Sequence, residues 1–251
     1  MNQALRWIAK GARALAVCLI ASMPQLVSAA NVDPELQAVL DKVVARMPRL
    51  ANATPVRSPV PGIIELRYDD GVLYASADGR YVFGGPLLDM RTRRNLTEDY
   101  DKERRVTTLS TVSERQMIVF EPKGAVKHTI TTFTDIDCGY CRKLHGEMAA
   151  MNGRGIRVRY MLYPRAGIGS DAHRKAVAVW CADDSLAAMT DAKAGRDPGS
   201  KSCSNPVEAH LELGRKLGLR GTPFTITESG ETINGYLPPT ALLERLATMS
   251  R

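Results

Sequence analysis

The sequence predicts an α+β N-terminal unit, a charged helix, and a larger alternating α/β unit carrying a helical insertion. Three observations predict it. Residues 30–91 offer one amphipathic helix followed by short strands punctuated by Gly and Asp turns. Residues 92–116 are dominated by charge. From residue 117 strands and helices alternate, and a Cys-x-x-Cys falls where a strand gives way to a helix.

Composition narrows the class. Among 251 residues, 44% are hydrophobic and 24% charged, ordinary values for a globular protein. Disorder, collagen and a multi-span membrane protein are excluded. Aromatics are only 6%, too sparse for a base-stacking platform. The formal charge of +7 is inflated by the first thirty residues, which carry Arg6, Lys10 and Arg13 and no acid. An apolar run over 14–23, too short to span a bilayer, and Val27-Ser28-Ala29 complete a secretory signal peptide, residues 1–29, with a short membrane anchor as the alternative. Cleavage after Ala29 or Ala30 leaves about +4, no electrostatic footprint for nucleic acid.

The first mature element is a helix. Asp33-Pro34-Glu35 supplies a cap, a first-turn proline and a favourable acid. Leu36, Val39, Leu40, Val43, Val44 and Met47 follow on one face, and Pro48 ends it. A proline-rich connection over 54–62 leads to strands at 63–68 and 72–76 around the turn Asp69-Asp70-Gly71. Ala77-Asp78-Gly79 then leads to a strand at 80–83, and Gly84-Gly85-Pro86 interrupts before 87–90. A unit this small is marginal alone and leaves sheet edges unpaired. Edge pairing between two copies cures both faults, as does packing on the chain's own second unit. The run from Arg91 to Arg105 mixes both charge signs and reads as an exposed connecting helix over 97–116, with a solvated face.

Beyond it, strands are expected at 117–120 and 128–134, a helix at 139–151 and a strand at 156–163. Residues 171–216 read as mainly helical, interrupted over 183–206. Strands at 224–227 and 231–234 flank Ser229-Gly230, and Pro238-Pro239 opens a last helix burying Leu242, Leu243, Leu246 and Met249. With the Cys-x-x-Cys at the strand-to-helix junction, this order suits a thioredoxin fold with an inserted helical subdomain.

Five cysteines occur, and Cys18 leaves with the signal peptide. The four that remain allow three pairings. Cys138 and Cys141 form a self-contained redox pair, which leaves Cys181 with Cys203 as a structural disulfide. Closing that loop of about 23 residues contributes roughly 3.4 kcal/mol in the chain-entropy model. Cys138 stands at the start of a helix, where free amide N–H groups and the helix dipole favour a thiolate. Only the thiolate attacks a disulfide, so Cys138 is the expected exposed nucleophile. Cys141, one turn deeper, is suited to resolving a mixed disulfide. Arg142, Lys143 and His145 follow and add positive charge, His145 as an ordinary surface histidine. Haem attachment needs His directly after the second cysteine, where Arg142 stands. Structural zinc needs a second close pair, which Cys181 and Cys203 do not make, so no metal is expected. Downstream, Gly221-Thr222-Pro223 precedes a strand, where a proline reads first as punctuation. In a thioredoxin fold that proline is cis and lies against the active-site sulfurs.

The stretch Phe133-Thr134-Asp135-Ile136-Asp137-Cys138-Gly139-Tyr140-Cys141-Arg142-Lys143-Leu144-His145 closely resembles the DsbC/DsbG family of periplasmic thiol:disulfide interchange proteins. Gly71-Val72-Leu73-Tyr74, Asp78-Gly79, Gly85-Pro86, Val179-Trp180-Cys181-Ala182, Gly221-Thr222-Pro223 and Gly235-Tyr236-Leu237-Pro238-Pro239 extend the likeness across the mature chain. Gly139 favours the DsbC branch over DsbG, which usually has Pro there. Phe224, where a smaller residue is common, and the charged linker depart from the pattern. The resemblance implies a V-shaped homodimer, paired through a cystatin-like N-terminal dimerisation domain (residues 30–91). A linker helix (92–116) and a thioredoxin-like domain (117–251) follow. It implies catalysis by Cys138 and Cys141, with substrate held at Gly139, Tyr140, Thr222 and Pro223. It also implies misoxidised exported proteins as substrates, reduction by a DsbD-type membrane reductase, no cofactor, and chaperone-like binding of unfolded chains. A dithiol oxidase, and a non-catalytic periplasmic holdase or metal chaperone, are the alternatives.

Overall fold

A computed structural model describes residues 33–249. The signal peptide expected over 1–29 lies outside the described residues. Among those described, no helix is long and apolar enough to cross a membrane.

Helix α1 (Pro34–Val44) begins where Asp33 accepts the Glu35 N–H. Its face of Leu36, Val39, Leu40 and Val43 packs on Leu50, Ile64, Leu66 and Ala75. It ends at Val44, earlier than expected, and Pro48 instead opens a single 3-10 turn, Pro48–Leu50. Strands β1 (Thr54–Arg57), β2 (Ile63–Tyr68), β3 (Gly71–Ser76) and β4 (Val82–Phe83) form an antiparallel sheet in sequence order. Strand β1 lies within the stretch expected to be only a connection. Pro55 is tolerated because β1 is an edge strand with one neighbour. Strand β4 is shorter than expected. The Arg80 N–H is taken by Asp78 Oδ1 and the Tyr81 N–H by Ser76 Oγ, so neither joins the ladder as a donor. A two-stranded ribbon, β5 (Leu88–Asp89) with β6 (Arg94–Asn95), follows.

Helix α2 (Leu96–Ser110) is capped by Asn95, whose side chain accepts the Glu98 N–H. It stops short of the expected residue 116, and a separate 3-10 turn spans Glu114–Gln116. Nor is its charged face solvated throughout. Arg104 donates to the carbonyls of Asp69 (2.7 Å) and Lys216 (3.1 Å), and buried Arg105 to that of Gly230 (3.0 Å). Lys102 pairs with Glu231 at 2.6 Å. The turn at Gly230 lies so close that a Cβ there would stand 2.1 Å from the Lys102 carbonyl oxygen, which only glycine avoids. Long basic side chains thus satisfy turn carbonyls on both units and dock the helix between them.

The larger unit is built on a five-stranded sheet in the order β11-β10-β8-β9-β7. Its strands are β7 (Ile118–Phe120), β8 (His128–Thr134), β9 (Ile156–Leu162), β10 (Phe224–Thr227) and β11 (Thr232–Asn234). Strands β8 and β9 run parallel, and every other pair is antiparallel. The helix expected over 139–151 is two, α3 (Gly139–Gly146) and α4 (Met148–Gly153), broken at Glu147, whose carboxylate accepts the Tyr236 hydroxyl at 2.7 Å. Then come α5 (Asp171–Trp180), α6 (Ser185–Lys193), α7 (Val207–Lys216) and α8 (Pro239–Met249). Helix α6 occupies the stretch expected to interrupt the helical region. Asp184 nucleates it by accepting the Leu186 and Ala187 N–H groups, both at 3.0 Å. A disulfide joins Cys181, at the end of α5, to Cys203 in the loop before α7. One core fills the sheet face under α3 to α6 and α8, and a second, around Phe133, Met161, Leu211 and Phe224, lies under α7.

Candidate active site

Strand β8 delivers the chain to Thr134, and Asp135-Ile136-Asp137 turns it into α3 with Cys138 at the N-cap position. The Cys138 N–H returns to the Asp135 carbonyl (3.2 Å), and the Cys138 carbonyl accepts from Arg142 N–H (3.0 Å). Its side chain makes no capping bond, so the sulfur is available for other partners. Cys138 and Cys141 are both free thiols. Cys141 is fully buried, one turn into the helix.

The Thr222–Pro223 peptide bond is cis and lies against the Cys138 sulfur. The Cys138 thiol donates to the Thr222 carbonyl at 3.2 Å. The Thr222 hydroxyl is buried with no hydrogen-bond partner among the described residues, and it favours both thiolates. Cys138 is therefore not the exposed nucleophile expected. Covered by the loop at Thr222, it is only 3% exposed, while its neighbours Asp137, Gly139 and Tyr140 are open to solvent.

The two thiols ionise differently. For Cys138, burial pushes the pKa up. The Thr222 hydroxyl, the Cys141 amide and thiol, and the Arg165 guanidinium pull it down and prevail, so it ionises below its ordinary value. For Cys141, burial pushes the pKa up and prevails. Lys193, the Asp135 backbone, and the hydroxyls of Thr134 and Thr222 oppose it. The arrangement makes Cys138 the thiol that becomes a nucleophile first.

The chain matches the model of the disulfide bond isomerase protein N-terminal domain over residues 30–98, and that of a thioredoxin-like domain over residues 114–250. It is 37% identical over 220 residues to the thiol:disulfide interchange protein DsbC of Haemophilus influenzae, covering 88% of this chain and 93% of the relative. The chain belongs to the DsbC family of thiol:disulfide interchange proteins. The DsbC of Escherichia coli K12 is 38% identical over 191 residues, 75% of this chain and 78% of that one. A crystal structure of a disulfide interchange protein from Neisseria gonorrhoeae superposes with a TM-score of 0.50 at 33% identity, covering 56% of this chain and 99% of the other.

Several members of this DsbC-family site are invisible in the motif. Asp135 is buried at 3% exposure, and its carboxylate takes the Asp137 N–H, the Arg165 N–H and the Arg165 guanidinium at 2.8–3.0 Å. That bond holds Arg165 where it acts on Cys138. Asp137 binds Lys175 at 2.8 Å and Arg142 at 3.2 Å, which offsets part of the positive charge expected on α3. His145 is buried, not on the surface. Its Nδ1 lies 3.4 Å from Tyr160 Oη and its Nε2 3.2 Å from Thr190 Oγ1. Burial, with Lys193 nearby, lowers its pKa to about 4, so it is neutral and adds no charge. Among the described residues no group of three or more His, Cys, Asp or Glu side chains could hold a metal ion. Arg165 and Lys193 carry no signal in the sequence, because only the fold brings them to the sulfurs.

Proposed function

We propose that this chain is a periplasmic protein-disulfide isomerase and reductase, exported by cleavage of residues 1–29 and working as a homodimer. The observation that carries the reading is the asymmetry of the two thiols, Cys138 easily ionised beside a cis Thr222–Pro223 bond and Cys141 buried beneath it. The Cys138 thiolate attacks one sulfur of a wrong disulfide in an exported protein. The substrate S–S bond breaks, a Cys138–substrate bond forms, and the other substrate sulfur leaves as a thiolate. That thiolate then attacks a second disulfide, which isomerises the substrate. Alternatively the Cys141 thiolate attacks Cys138, which closes the Cys138–Cys141 disulfide and releases the substrate reduced. A membrane reductase of the DsbD type restores the dithiol. The substrate chain lies along Thr222 and Pro223 as an added strand and touches Gly139 and Tyr140, the latter 65% exposed beside the sulfur.

The N-terminal match and the sheet edge support the homodimer. Strand β4 is two residues long, with exposed Phe83 (49%) in it and exposed Tyr81 (58%) just before it, an edge a second copy can cover. A dimer sets two dithiols on one particle around a shared cleft, which suits repeated attempts on one substrate and chaperone-like holding of unfolded chains. The test is refolding of a scrambled multi-disulfide protein with the mature chain and with Cys141→Ala. The mature chain restores native pairing, and the variant accumulates mixed disulfides at Cys138. Refolding no faster than without the chain contradicts the reading.

A further inference from the structure

Lys193 ends α6, and nothing in the exchange just described uses it. Its ammonium is buried, with the residue only 4% exposed, and it reaches beneath the Cys-x-x-Cys turn. There it donates to Thr134 Oγ1 and to the Asp135 carbonyl, both at 2.7 Å. Both acceptors are neutral, whereas a buried cation needs a counter-charge or must lose its proton. The Asp135 carboxylate is already held by Arg165. Of the charges around Lys193, Cys141 favours the ammonium most, ahead of Asp135 and Cys138, while Arg142 opposes it. His145 is neutral and holds Tyr160 and Thr190 instead. The Thr134 hydroxyl that Lys193 grips also favours the Cys141 thiolate. Burial brings the Lys193 pKa down to about 8, so amine and ammonium are both accessible near neutral pH.

We propose that Lys193, acting through the Thr134 hydroxyl, takes the proton of Cys141 during resolution and returns it when the dithiol is restored. The inference rests on Cys141 being the resolving thiol. In the mixed disulfide the Cys141 thiol gives its proton to Thr134 Oγ1 as that hydroxyl passes its own to the Lys193 amine. A neutral thiol and amine thus become a thiolate and an ammonium. The thiolate attacks Cys138 Sγ, the Cys138–substrate bond breaks, and the electron pair leaves on the substrate sulfur. The dithiol is oxidised by two electrons and the substrate disulfide is reduced by the same two. Lys193 and His145 also line a cavity of about 930 Å³, walled by Phe120, Met148 and Asn152, which gives the ammonium a way to exchange its proton with water. Lys193 is thus a positioning residue that acts on the reacting sulfur through Thr134.

The mature chain, reduced and then mixed with oxidised glutathione, forms a Cys138–glutathione disulfide whose resolution is followed by quenching across the pH range. Lys193→Met is expected to slow resolution at neutral pH by at least about tenfold, with the rate climbing only at alkaline pH. Thr134→Val, which leaves the lysine in place, is expected to do the same. The first attack by Cys138, measured with Cys141→Ala in the background, is expected to change by less than about twofold. A purely structural lysine would shift the melting temperature and leave the pH profile of resolution unaltered, which overturns the proposal. Wild-type resolution in Thr134→Val overturns it as well, and decides the matter if the Met variant does not fold. Failure of Cys141→Ala to retain glutathione on Cys138 would instead overturn the role of Cys141 on which the inference stands.

Discussion

The larger unit holds two cysteine pairs whose surroundings are opposites. Cys138 and Cys141 are free, buried, and set among Thr222, Arg165 and a buried lysine. Cys181 and Cys203 are bonded to each other, 22 residues apart in sequence, between a helix end and an exposed loop. Near them in sequence stand an exposed ion pair, Asp183 with Lys201 at 2.6 Å, and Asn205, which donates to the Cys203 carbonyl at 2.9 Å. A thiolate is favoured where donors and cations converge on a sulfur, and among the described residues no side chain hydrogen-bonds to either sulfur of the second pair. The free pair differs from the bonded one in the neighbours that distant parts of the chain supply. The same holds within the first pair, where burial pushes both thiols up and only at Cys138 do the opposing groups, with Arg165 among them, together outweigh it.

Removal of Cys138 is expected to have the largest effect. In Cys138→Ala, disulfide exchange with a model disulfide is expected to fall to the uncatalysed rate while the melting temperature stays within a few degrees, read by exchange kinetics and circular dichroism. Removing the other pair should do the reverse. Cys181→Ala with Cys203→Ala is expected to cost about 2–5 kcal/mol in urea unfolding, with the rate of Cys138 alkylation in the folded protein unchanged. A stability loss below about 0.5 kcal/mol would show that the loop needs no staple.

A smaller effect comes from two buried histidines of the same unit. His210 accepts the Leu162 N–H at 3.0 Å, and both His145 and His210 titrate at about 4. Their folded pKa values lie below the unfolded value of about 6.5, so the unfolded chain binds more protons between those limits. Stability from these rings is present above about pH 6.5 and is lost as pH falls toward about 4, by roughly 3 kcal/mol for each ring. Urea midpoints measured across that window check it. Replacing His210 by Gln is expected to halve the slope, and an unchanged slope would show that the ring is not buried neutral.

The chemistry was legible in the sequence where it is local. A cysteine at a strand-to-helix junction and Gly-Thr-Pro before a strand each occupy a few consecutive residues, and the structure brings them within 3.2 Å. Residues that tune the sulfurs were not legible, because their partners are remote. Lys193 reads as a basic residue closing a helix, yet its acceptor carbonyl lies 58 positions away. His145 looks like part of a polar helix turn, and only the packing of Tyr160 and Thr190 buries it. Helix α6 was missed because its apolar residues are weakly segregated, leaving the Asp184 cap as its main local signal. Charge in the linker reads as solvation, since sequence does not reveal that carbonyls of residues 69, 216 and 230 await its arginines.

Cys138, although covered, ionises before Cys141. The direct measurement is alkylation of the reduced mature chain by iodoacetamide at about pH 6, quenched over time and mapped by peptide mass spectrometry. Label is expected on Cys138 first, with little on Cys141 until Cys138 is fully modified. Labelling of Cys141 first, or of both at one rate, would contradict it.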